Sequence, residues 1–91
     1  MYAVFTVVEI DKTKSDMAAA IQSLKDDIIP QLKQAPGFVR GTWFGNDATG
    51  HSVVLFDTEE QASRTTQEVG STPAEGVRVV SSDVHELHAQ A

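Results

Sequence analysis

Apolar and polar positions along this chain change their period several times, and each change marks an element. Residues 2–10, YAVFTVVEI, are dense in β-branched and aromatic side chains and predict a strand. The polar segment 11–15 follows, with Thr13 and Asp16 spaced as a capping box in which Asp replaces the usual Glu. Met17, Ile21, Leu24, Ile28 and Leu32 then recur at intervals of three and four, which predicts one apolar stripe on a helix over 14–35. Pro30 falls inside that stripe. It lacks a backbone donor and crowds the preceding turn, so a kink or early end is expected near Ile29. Pro36-Gly37 closes the helix.

Two further strands are predicted at 38–45, FVRGTWFG, and 51–57, HSVVLFD. The turn formers NDATG between them make an antiparallel hairpin. Thr58 opens TEEQ, a second capping box with Gln61 as partner, and a helix over 59–69 with Ala62, Thr66 and Val69 inward. A loop at 70–76 and a last strand at 77–88 complete the order.

Alternation along the strands decides the architecture. In the first strand Tyr2, Val4, Thr6 and Val8 oppose Ala3, Phe5 and Val7. In the second, Phe38, Arg40, Thr42 and Phe44 oppose Val39, Gly41 and Trp43. In the third, Val53 and Leu55 oppose Val54 and Phe56. Strands apolar on both sides are buried on both sides. Two helices cover one face of a four-stranded sheet, so the other face needs a cover from outside the chain. A second copy, sheet on sheet, supplies it with two-fold symmetry. The expectation is a single α+β domain over residues 1–91, ferredoxin-like βαββαβ, with both helices on one face, assembled as a homodimeric α+β barrel.

The element order, QAPGFVRGTWF leading into the second strand and VVLFDTEEQA joining the third strand to the second helix resemble the dimeric α+β barrel superfamily. Within it they resemble the small bacterial proteins grouped with antibiotic-biosynthesis monooxygenases. That superfamily includes cofactor-independent monooxygenases, haem-degrading enzymes, lactone isomerases and stress-related proteins. The resemblance implies a small-molecule cavity between sheet and helices and, for the monooxygenases, oxygenation of an aromatic substrate with no cofactor. A non-catalytic binding or stress-associated dimer is the alternative. Haem-degrading relatives carry an asparagine on the first strand and a histidine on the second helix. This chain has neither.

Composition narrows the chemistry. In 91 residues there are 7 basic and 13 acidic side chains, a net charge of −6, which disfavours nucleic acid and anionic membranes as partners. There is no cysteine, hence no disulfide, thiolate metal site or cysteine nucleophile. No signal-peptide pattern and no apolar run of spanning length occurs, so a cytoplasmic location is expected. The candidate substrate contacts are Trp43, whose ring can stack on an aromatic compound, and Arg40, which suits a planar oxyanion or pairs with an acid across the dimer, such as Asp57 or Asp83. The candidate catalytic groups are His51, as a base near neutral pH, and Tyr2, as a hydrogen-bond donor. For Trp43 the competing reading is core or interface packing. His85 and His88 have a metal-like spacing, but three residues apart on a strand they point to opposite faces, so no metal is expected.

Overall fold

A computed structural model describes residues 1–69 and 76–91, with the side chains of 67–69 left aside. Strand β1 is Tyr2–Ile10, β2 Phe38–Gly45, β3 Thr49–Phe56 and β4 Val77–Glu86. They form one antiparallel sheet in the order β2-β3-β1-β4, the ferredoxin-like arrangement. Helix α1 (Met17–Ser23) runs through a π-helical turn (Leu24–Ile28) into α2 (Ile29–Gln34), and α3 is Glu59–Val69. Both helical segments pack on the same side: Leu32 of α2 and Ala62 of α3 are buried together with Val4, Val54 and Phe56 of the sheet. The loop expected at 70–76 lies outside the described residues except for Gly76.

Local signals account for most boundaries. Thr58 Oγ1 accepts from Gln61 N at 3.2 Å, and Thr58 N donates to Gln61 Oε1 at 3.3 Å, so the capping box closes in both directions. Gly37 adopts φ +79°, which L side chains rarely take, and turns the chain from α2 into β2. The first helix starts later than the periodicity suggests. Asp16, rather than Thr13, is the cap: its Oδ1 accepts from Ala19 N at 2.8 Å, while Thr13 donates to Asp11 through both its amide and its hydroxyl. These two hydrogen bonds, the hydroxyl's first, hold the Asp11 carboxyl below its usual range.

Pro30 does not end the helix. The strain it imposes is taken up one turn earlier, where the backbone widens to the π pattern and Ile29 N reaches back to Leu24 O. Helical geometry then resumes to Gln34.

One face assignment needs correction. Phe38 pairs with Phe56 and packs edge-on against it in the core, on the helix side, whereas Arg40 pairs with Leu55 on the open side. Val39 has no partner in the β2–β3 ladder; it is a bulge that reverses the alternation between its neighbours. The other strand faces follow the sequence pattern. A second bulge falls at Val80 of β4, between Val79, opposite Val8, and Ser81, opposite Val7.

Candidate functional site

The described residues do not fill the helix side of the sheet. A cavity of about 450 Å³ lies between it and the first helix, floored by Val4, Thr6 and Val8 of β1 with Ser52 and Val54 of β3. Met17, Ile21, Leu24 and Ile28 form its roof. The apolar stripe that predicted the helix is therefore only partly used for packing: Leu32 is buried, but Ile21 remains 41 % exposed.

Trp43 forms part of the wall, on the edge strand β2, with Ser52 as its cross-strand neighbour. Its ring lies back over Gly41, two residues away on the same face, where a Cβ would come within 2.6 Å of Cζ3. The absent side chain at 41 is what gives the indole its place. Trp43 also touches the buried core, so it is at once a core residue and a cavity residue.

The remaining candidates from the sequence do not converge with it. Tyr2 is on the helix side but packs against the core and is not part of the cavity wall. Arg40 stands exposed on the open side and has no ion-pair partner among the described residues; neither Asp57 nor Asp83 reaches it within the chain. His51 borders the cavity by position. Its ring, however, stacks on Phe5 at 6.1 Å between centroids, with an interplanar angle of 12°, and on Phe44 at 5.4 Å. Phe5 belongs to the open side of the sheet. His51 Nδ1 is buried there without a hydrogen-bond partner among the described residues. The four residues thus divide two and two between opposite faces, as strand parity requires.

The cavity instead brings together polar groups that no single motif announces. Thr6 faces Ser52 across one strand pair and Ser82 across the other, a row of three hydroxyls over the sheet floor. Thr6 Oγ1 and Ser82 Oγ are 2.9 Å apart and hydrogen-bonded. Thr65 and Thr66 of α3 contribute hydroxyls that donate to the helix carbonyls of Gln61 and Ala62, at 3.1 and 3.0 Å. Asp27 and Gln31 also line the cavity, Asp27 from the π-helical turn and Gln31 just after it. The signal for Asp27 was present in the sequence, since it sits beside Ile28 on the apolar stripe.

The open face carries Ala3, Phe5 and Val7 of β1, Val53 and Leu55 of β3, and Arg40, Thr42 and Phe44 of β2. Phe44 is 51 % exposed. Glu9 and Arg78 form an ion pair at one end of this face, and Asp83 and His85 stand exposed on β4. Beta-strand β4 ends at Glu86, so His88 lies beyond it, and no group of three or more metal-ligating side chains is gathered among the described residues. No helix of the described residues is long and apolar enough to cross a membrane. No protein-family model matches the chain, and no curated protein is detectably similar to it in sequence.

Proposed function

We propose that the protein is a homodimeric small-molecule enzyme of the cofactor-independent monooxygenase kind, taking a planar, largely apolar ring compound into the cavity beneath its first helix. The observation that carries this reading is the cavity: about 450 Å³ bounded by Trp43 and aliphatic side chains, within the size range of small-molecule sites. Protein interiors are packed to near-crystalline density, so an apolar space of this size between a sheet and its helix favours a ligand over a bare scaffold.

In this chemistry the substrate loses a proton from a ring methylene whose carbanion is delocalised onto a conjugated carbonyl, and the carbanion passes its electrons to dioxygen as a C–O bond forms. A second proton then leaves the same carbon, the O–O bond breaks, and water departs to leave a new carbonyl. The protein's part is to orient, to exclude water and to accept a proton. Asp27, a solvent-exposed residue of the cavity lining, is our candidate for the last task, since the His51 ring stacks on the far side of the sheet. Trp43 supplies the stacking surface.

The second copy covers the open face. Phe44 stands exposed on that face beside half-buried Ala3, Phe5, Val7 and Val53, while Leu55 is already buried within the chain, and soluble monomers rarely leave large apolar patches uncovered. A two-fold axis running along the strands lays β2 of one copy over β4 of the other; in the register of the sheet Arg40 shares its row with His85, and Asp83 lies one row away on the same face.

Oxygen uptake with anthrone, a ring ketone bearing an acidic methylene, tests the reaction, and native mass spectrometry tests the assembly. One dioxygen consumed per carbonyl formed, reduced by Asp27→Asn, is the expected result, with a mass of twice 9.8 kDa. Anthrone bound and returned unchanged overturns the enzyme. It leaves a non-catalytic binding module, a reading favoured by the engagement of Thr6, Thr65, Thr66 and Ser82 in hydrogen bonds within the chain. A mass of one chain overturns the dimer.

A further inference from the structure

We infer that the Ser52–Thr6–Ser82 row is the polar anchor of the cavity, and that it selects a neutral ligand through one carbonyl or hydroxyl oxygen while rejecting anions. This deepens the small-molecule reading above and rests on it.

Thr6 is the central residue of the row, opposite Ser52 on β3 and Ser82 on β4. Directly opposed residues on neighbouring antiparallel strands stand about 4.5–5.5 Å apart at Cα, so the three hydroxyls cross the floor within about 10 Å. Thr6 is only 8 % exposed, among aliphatic neighbours. A buried hydroxyl needs a partner, and it has one in Ser82. No hydrogen bond engages the Ser52 hydroxyl among the described residues, and it is not a sealed orphan atom either. It opens onto the cavity as a donor in want of an acceptor. Hydrogen-bonded hydroxyls polarise one another, so the Thr6–Ser82 pair adds to the polarity of that spot.

Charge fixes the sign of the preference. Asp27 is the only charged side chain among the described residues that line the cavity; no lysine or arginine does. Residues 67–75, which adjoin it in sequence, contain no lysine or arginine either. An anionic ligand would enter without a counter-charge and face a carboxylate, whereas a neutral oxygen meets a hydroxyl donor. Arg40, the residue suited to oxyanions, stands on the other side of the sheet.

Three probes on one ring framework separate these terms: tetralin, 1-tetralone and tetralin-1-carboxylate, with the neutral tetralin-1-carboxamide as the size control for the carboxylate. The chain has one tryptophan, so the Trp43 indole N–H gives a single NMR cross-peak that reports occupancy of the wall it forms. 1-Tetralone is expected to bind about 3- to 10-fold more tightly than tetralin, the ordinary return of one net hydrogen bond. The carboxylate is expected to bind at least roughly tenfold more weakly than tetralin at pH 7. Ser52→Ala should bring the tetralone-to-tetralin ratio close to one. Thr6→Val should lower the same ratio, and dispersion of the amide spectrum verifies that each variant folds. Equal binding of tetralin and tetralone, a ratio unmoved by both substitutions, or tighter binding of the carboxylate overturns the anchor but spares the cavity. If none of the three probes shifts the indole peak, the cavity reading falls and the anchor with it.

Discussion

Replacing Gly41 by alanine is the sharpest available probe of the Trp43 wall. The added Cβ would stand 2.6 Å from Trp43 Cζ3, and ordinary contact begins at 3.4 Å, so the ring must retreat by about 0.8 Å or more. It has somewhere to go, because the cavity lies on its other side. Two effects oppose each other in stability. Overpacking costs about 1–3 kcal/mol where the surroundings are rigid. Removing a glycine from the unfolded chain returns about 0.4–1 kcal/mol. The net expectation is a loss of about 1 kcal/mol, which at a urea m-value of about 1.5 kcal/mol/M lowers the midpoint by about 0.7 M. Intrinsic fluorescence reads the indole alone, since Trp43 is the only tryptophan. Its emission should shift in the folded Gly41→Ala protein, and the affinity for a ring compound should fall as the indole takes up cavity volume. A variant more stable than the parent, with unchanged emission and affinity, would refute the placement of the ring over residue 41.

Two other outcomes follow from the fold. Phe56 is fully buried at the centre of the core, so Phe56→Ala should cost about 3–5 kcal/mol in urea unfolding, a large share of the roughly 5–14 kcal/mol expected for a chain of this length; a cost under about 1 kcal/mol would move the core elsewhere. Asp11 is held below its usual range first by the Thr13 hydroxyl and then by the Thr13 amide, so its contribution to stability is present above the ordinary carboxylate value of 3.8 and is lost as pH falls through the lower folded-state value. NMR titration should show the Asp11 carboxyl returning towards 3.8 in Thr13→Ala, and an unchanged midpoint would discount that hydroxyl.

How much of this was legible in the sequence depends on the range of the interaction concerned. The Thr58–Gln61 box and the Gly37 turn are set within a few residues, and the sequence announces both. Pro30 announces a disturbance but not its form, because whether a helix kinks, stops or widens is decided by what packs against it. The sidedness of β1 and β3 reads directly from alternation. That of Phe38 does not, since one unpaired residue at 39 reverses it and a bulge has no composition of its own here. His51 and Trp43 stand eight residues apart in sequence, and only the hairpin register shows that their rings are on opposite faces. The hydroxyl row is the extreme case. Thr6, Ser52 and Ser82 are each unremarkable on their own strand, and nothing but strand pairing assembles them.

The two unpaired residues, Val39 and Val80, have a consequence for how this chain can change length. Each sits on an edge strand, each is an exposed valine, at 42 % and 45 %, and the residues on either side of each pair with consecutive positions of the neighbouring strand. Deleting a residue elsewhere in β2 or β4 exchanges inside for outside along the rest of the strand. Deleting Val39 or Val80 leaves every other side chain on the face it already occupies. These are the two points on the rim of the sheet where the chain can be shortened by one without rewriting its interior, and sequences that differ from this one by a single residue in either strand should place the gap there.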